Sequence, residues 1–281
     1  MNELRFTKMH GAGNDFILVN DKSRAFPIHD HLRTAALATR RLGVGSEGVI
    51  VVQPSSNADF RMYFFNPDGT EADLCGNGTR CAAAFAKDEG VVSSHSMTIE
   101  TGSGLVDAEV LPDGLVKVWM PEPFERRYSF EAAIPGGTVK GDYLVEGVPH
   151  FIVESASPSA VDVAGLGKAL RLSDSFSPEG ANIDFVQFIK PGRIFMRTYE
   201  RGVEAESGAC GTGAMAAAVV AVETREMTFP VSVRTVSGYT LAADGDWREG
   251  RATGLTLTGP VKTVFRGTVD LDSLDISSEL D

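Results

Sequence analysis

Two stretches of this chain, CGNGTRCAAAFA from Cys75 and CGTGAMAAAVVA from Cys210, share a cysteine, two glycines and three alanines in register at a spacing of 135 residues. Other pairs recur in the same order: Phe16-Ile17 with Phe151-Ile152 and Glu71 with Glu206 at 135, then Thr101, Ser103 and Gly104 with Thr235, Ser237 and Gly238 at 134. Ordered matches at one spacing mark a tandem duplication, and so long a period means two similar domains. The fold class expected is α/β (α+β): two pseudo-symmetric domains, each a mostly antiparallel, β-barrel-like sheet wrapped around a central buried helix. The first half, 1–120, carries Cys75 and is completed by about 262–281; the second, 121–261, carries Cys210. The turn MPEPF (Met120–Phe124) is the expected crossover.

Each half reads alike. Short strands (Phe16–Val19, Val49–Val52 and Phe60–Phe65 in the first) precede the glycine-cysteine turn, and an alanine-rich helix follows it, over Asn77–Asp88 and Thr212–Glu223. These helices are apolar nearly all round, which predicts enclosure. ETGSGLVDAEVLPDGLVKVWM alternates about a Pro-Asp-Gly turn and reads as hairpins, as does LAADGDWREGRATGLTLTG. The acidic tail LDSLDISSELD is expected to fray.

Composition narrows the function. A net charge of −12 without a basic run argues against nucleic acid. The N-terminus lacks a continuous apolar segment, and no apolar run reaches about 18 residues, so neither a secretory signal nor a membrane span is expected. Three cysteines in no framework spacing suit a reducing cytoplasm, and no zinc pattern is present.

Cys75 and Cys210 each stand immediately before a predicted helix. The first N–H groups there lack internal partners, and the dipole adds positive charge. A thiol at that place is expected to have its pKa lowered, and a carboxylate can bind beside it. Two such sites suggest racemisation: with the helix ends facing one α-carbon, one thiolate removes the α-proton and the opposite thiol reprotonates the other face. Cys81, without a counterpart in the second half, reads as core packing. Oxidation would join Cys75 and Cys210 in an inactive disulfide.

The ordered set KMHGAGNDF (Lys8–Phe16), FNPDGTEADLCGNGTR (Phe65–Arg80), ANIDF (Ala181–Phe185), YERG (Tyr199–Gly202) and ACGTGA (Ala209–Ala214) resembles the diaminopimelate epimerase family from about residue 5 to 266. The resemblance implies a cofactor-independent isomerase of LL- and meso-diaminopimelate, serving lysine and peptidoglycan synthesis, with Cys75 and Cys210 catalytic. It implies that Gly76-Asn77 and Gly211-Thr212 hold the reacting carboxylate. Asn14, Asn66, Asn182, Glu200 and Arg201 would hold the rest of the substrate, and His150 and Glu200 would support the proton transfers. The family often dimerises, so a homodimer is the protein partner it suggests. Asn66 also reads as a turn residue, because Asn66-Pro67-Asp68-Gly69 is a strong turn signal.

Three departures stand out. Val148 replaces the Asn of Gly-Asn-Pro-His. Ala205-Glu206-Ser207 replaces Gly-Glu-Thr, and the spacing from Arg201 to Cys210 is one residue longer. Glu47 replaces Asp in Gly-x-Asp, which looks trivial. Val148 favours a variant reading in which the same chemistry acts on another amino acid. An isomerase with a carboxylate base and a thiol redox sensor are the lesser alternatives.

Overall fold

The structure is a computed structural model and describes residues 3–275. The chain divides into two compact units. One runs to Val118 and takes back the chain from Gly259 onward; the other is Trp119–Thr258.

In the first unit β1 (Glu3–Gly11) and β2 (Asn14–Asn20) form an antiparallel hairpin, and α1 (His31–Ala38) leads to β3 (Val49–Gln53), parallel to β2. β4 (Phe60–Phe65) is antiparallel to β3, and the short β5 (Glu71–Ala72) to β4. α2 (Gly76–Asp88) then leads to β6 (Ser96–Thr101), parallel to β4, and β7 (Gly104–Val110) and β8 (Val116–Trp119) follow antiparallel.

The second unit repeats this order. β9 (Phe124–Ile134) lies antiparallel to β10 (Gly137–Glu146), which pairs with β11 (Val148–Glu154). α3 (Val163–Arg171) leads to β12 (Asn182–Ile189), parallel to β11, and β13 (Arg193–Glu200) and β14 (Ala205–Ser207) continue antiparallel. α4 (Gly211–Thr224) leads to β15 (Val231–Arg234), parallel to β13, then come β16 (Thr240–Arg248) and β17 (Arg251–Gly259). β18 (Val261–Asp270) returns to the first unit as the antiparallel partner of β1, the place that β9 holds beside β10.

The wrapping follows from burial. α2 touches β1, β2, β3, β4, β7 and β18, and α4 touches β10, β11, β12, β13, β15 and β16, so each sheet curves about one helix. α1 and α3 cover the opposite faces. Val49 and Val51 join the α1 cluster with Phe6, Ile17 and Leu37, while Ile50 turns to α2. A strand covered on both sides must be apolar at consecutive positions, and VIVV is. The hairpin tip between β16 and β17 places Glu249 and Gly250 both at positive φ, the two-residue turn that suits strand twist.

The structure corrects three expectations. Ile17 opposite Val49 is matched by Phe151 opposite Ile183, and Ile50 opposite Phe64 by Asp184 opposite Thr198. The strands therefore repeat at 134, and the Phe16-Ile17 match at 135 is a coincidence: a one-residue slip puts those side chains on opposite faces. The cysteine turns sit at 135 because one residue is added between β13 and β14. α4 is buried almost throughout, but α2 is not apolar all round, since it encloses the guanidinium of Arg80. The tail does not fray at its start: Leu271 and Leu274 are buried in the α1 cluster, and residues 276–281 lie outside the described residues. Among the described residues no helix is long and apolar enough to cross a membrane.

Candidate active site

Cys75 is the N-cap of α2 and Cys210 the N-cap of α4. Each has extended backbone, and each sulfur accepts from the backbone N–H three residues on, Gly78 or Gly213, at 3.4 Å. The thiol thus does the work that Ser, Thr, Asp or Asn usually does at a helix start. Glycine is needed there. A Cβ on Gly78 would meet Ile50 Cδ1 at 3.0 Å, and one on Gly213 would meet Asp184 Oδ1 at 2.6 Å. All three cysteines are free.

The surroundings of the two sulfurs differ. Half-buried Cys75 has Asn14 Oδ1 at 3.9 Å, and that oxygen also accepts from Asn77 Nδ2 at 3.2 Å. Asn14 in turn donates to Glu47, so the Asp-to-Glu departure that looked trivial belongs to the wall beside Cys75. Fully buried Arg80 braces the turn from behind, donating to the Gly76 carbonyl and the Asn77 side chain. Burial pulls its pKa down, and attraction to Cys81 and Cys75 opposes that pull. Cys81 is fully buried with its thiol pushed far up by burial, in keeping with core packing.

Cys210 corrects the expectation of a lowered pKa. Burial pushes its thiol well up, and like-charge repulsion from Glu200 and Asp184 adds to that. The Thr212 hydroxyl and the Gly213 N–H offset only part. Taking a thiolate out of water here outweighs the helix end.

Behind Cys210 lies a continuous network, buried except at partly exposed Thr212. Cys210 Sγ is 3.5 Å from Thr212 Oγ1, which is 3.0 Å from His150 Nε2. His150 Nδ1 is 2.7 Å from Asp184 Oδ2, and Thr198 Oγ1 donates to Asp184 Oδ1 at 2.6 Å. His150 and Asp184 are both fully buried. Asn182 joins from the side, with Nδ2 3.4 Å from His150 Nε2 and Oδ1 accepting from the Arg201 backbone N–H at 2.7 Å.

The remaining residues singled out in the sequence divide. Asn66 is engaged in its own turn, donating to Thr70 Oγ1 at 3.1 Å. The Arg201 guanidinium reaches the Glu179 carbonyl at 3.3 Å. Glu206 accepts from Arg197 at 2.7 and 2.6 Å and so fastens β14 to β13. Val148 stands opposite Glu146, a fully buried carboxyl neither of whose oxygens has a hydrogen-bond partner. Asp184, Thr198 and Arg80 were not singled out from sequence. The available signal was polarity out of place: Asp184 at an alternate position of an apolar strand, Arg80 in an alanine-rich helix.

A cavity of about 850 Å³ near α1, lined by residues such as Phe26, His31 and Tyr63, contains none of these groups. No group of three or more His, Cys, Asp or Glu side chains among the described residues is placed to hold a metal.

Comparison with known proteins gives the family and the fold. Curated relatives named diaminopimelate epimerase include one from Aquifex aeolicus, 37% identical with 97% of this chain and 100% of that protein covered. Another, from Desulforudis audaxviator, is 38% identical with 94% and 98% covered. Among solved structures, a PhzF-family phenazine biosynthesis protein of Bacillus anthracis matches with a TM-score of 0.73 at 18% identity, covering 96% of this chain and 99% of that one. A hydroxyproline epimerase of Agrobacterium vitis matches with 0.73 at 19% identity, covering 98% and 93%. These likenesses show the shared fold. The family profile described as Diaminopimelate epimerase matches residues 6–124 and 143–264, and the chain belongs to that family.

Proposed function

We propose that this protein interconverts LL- and meso-diaminopimelate as a PLP-independent, two-base epimerase. The observation that carries the proposal is a cysteine at the N-cap of the central helix in each of two topologically equivalent units, each beside a glycine-rich first turn. Cys75, as thiolate, takes the α-proton: an S–H bond forms and the C–H electron pair passes to the carbon and its carboxylate. Cys210, as thiol, gives its proton to the other face, and the roles exchange in reverse. Burial favours protonated Cys210, and the Arg80 guanidinium attracts a negative Cys75, so the surroundings suit this division. The N–H groups of Gly76-Asn77 and Gly211-Thr212 stabilise the carboxylate as charge develops. His150 and Glu200 support the proton transfers, and Asn14, Asn66, Asn182, Glu200 and Arg201 hold the distal end of the substrate. We place the enzyme in the cytoplasm, as a homodimer, on family resemblance.

One observation favours a second reading. Val148 stands where an amide is expected, and loss of one hydrogen bond to a charged group costs about 1.5–3 kcal/mol. The same chemistry would then act on a different amino acid. Turnover of LL-diaminopimelate measured beside a panel of single L-amino acids separates the two. The proposal expects diaminopimelate to have the highest kcat/KM; a single amino acid that exceeds it tenfold would overturn the substrate assignment and leave the two-base chemistry standing.

A further inference from the structure

The two halves of the duplication have filled one place differently. At the 134-residue spacing, His150, Asp184 and Thr198 correspond to Phe16, Ile50 and Phe64. The glycine of each helix start confirms the match: Gly78 rests on Ile50 and Gly213 on Asp184. Beneath α2 the three positions form apolar core, with Phe16 and Phe64 in an edge contact at 6.1 Å. Beneath α4 they form a buried polar chain. A fold that packs this place with hydrocarbon in one half has no structural need for an ionisable pair in the other, because buried ion pairs seldom stabilise relative to well-packed apolar residues.

The hydrogen bonds determine the protonation of that chain. The Arg201 backbone N–H can only donate, so it takes Asn182 Oδ1 and leaves Nδ2 facing His150 Nε2. Nε2 therefore accepts, and the imidazole proton is on Nδ1, donated to the Asp184 carboxylate. Thr198 holds the other carboxylate oxygen, and the N-terminus of α4 favours negative charge beside Gly213. The one lone pair of Nε2 is shared between Asn182 Nδ2 at 3.4 Å and the nearer Thr212 hydroxyl at 3.0 Å, which in turn reaches Cys210.

We propose that Asp184, held by Thr198, is a positioning residue that keeps His150 in the Nε2-acceptor form, and that the Thr212 hydroxyl passes the Cys210 proton to it. When Cys210 must act as base, its S–H bond breaks as a Thr212 O–H forms. The original Thr212 O–H breaks as Nε2–H forms, and the sulfur keeps its electron pair. The resulting imidazolium lies against the Asp184 carboxylate. The reverse sequence restores the thiol. At the matched places the first half has Phe16, Ile50 and Phe64, and half-buried Cys75 has Asn14 Oδ1 at 3.9 Å. This inference rests on the two-base reading but can fail separately from it.

The test titrates Cys210 through its ultraviolet thiolate absorbance in a Cys75→Ser background, with no substrate present. Cys81 stays silent there because burial keeps it protonated. The relay predicts that Asp184→Asn reduces thiolate at Cys210 about tenfold near neutral pH, since the imidazolium loses its counter-charge. Bare repulsion between Asp184 and Cys210 predicts the opposite, and a rise in thiolate, or no change, would overturn the proposal. With Cys75 intact, Asp184→Asn is expected to lower kcat roughly 10²-fold at unchanged KM. Thr198→Val should lower it less and Thr198→Ser should restore it. If Asp184→Asn does not fold, the Thr198 pair decides: equal kcat in Val and Ser variants overturns the proposal. A lowered thiolate fraction with no turnover of any amino acid would reject the substrate assignment and keep the relay.

Discussion

A carboxyl group buried with no partner on either oxygen is among the costliest side chains a fold can carry, and Glu146 is one. Burial pushes its pKa well above the ordinary carboxylate range, with Arg126 offsetting only part. The folded state thus binds its proton more tightly than the unfolded chain does. Stability associated with this group is full below the unfolded value of about 4.5 and is lost as pH rises toward the folded value. Glu146→Met is therefore expected to raise the thermal midpoint at neutral pH, by the equivalent of about 1–3 kcal/mol, and to gain much less near pH 4. Thermal unfolding at both pH values checks this, and a gain independent of pH would contradict it. At the same scale, Cys75 and Cys210 were legible in the sequence because a helix start is a local feature. Asp184 and Thr198 were not, because their meaning depends on which face of a strand they take and which strand lies opposite. Only the pairing register supplies that.

The two central helices were readable almost to their ends, since alanine-rich runs after a glycine turn have few alternatives. The structure places them at Gly76–Asp88 and Gly211–Thr224. What could not be read was the consequence of one added residue between β13 and β14. It separates the spacing of the strands from that of the cysteine turns, and so hid the fact that His150 answers to Phe16. The helix starts also carry a prediction. Alanine in place of glycine normally favours a helix by up to about 1 kcal/mol. At Gly213 the new Cβ would lie 2.6 Å from Asp184 Oδ1, a distance that forces the carboxylate away from His150. Gly213→Ala is expected to destabilise by about 1–3 kcal/mol and to lower kcat, since the carboxylate is tied on both oxygens. Gly78→Ala meets the terminal methyl of Ile50 at 3.0 Å and Cys75 Cβ at 3.3 Å, both farther than the 2.6 Å contact at Gly213, and should cost less. Calorimetry and kcat for the pair check the order of the two effects.

At the scale of the molecule, duplication explains both the likeness of the halves and their division of labour. Each unit lays β-strands about one buried helix and borrows its outermost strand from beyond the repeat, β18 beside β1 and β9 beside β10. On that common frame the first unit surrounds its cysteine with an amide pair and a buried guanidinium. The second surrounds its cysteine with acid, imidazole and hydroxyl. An enzyme that must present a base on one face of a carbon and an acid on the other gains from halves alike in geometry and unlike in charge. The central claim is that each cysteine serves one face, and solvent-deuterium uptake at the α-carbon of LL- and meso-diaminopimelate tests it most directly, in Cys75→Ser and Cys210→Ser. The account predicts that each single substitution abolishes epimerisation, lowering it by roughly 10³-fold or more. Full exchange and turnover retained in either variant would contradict it.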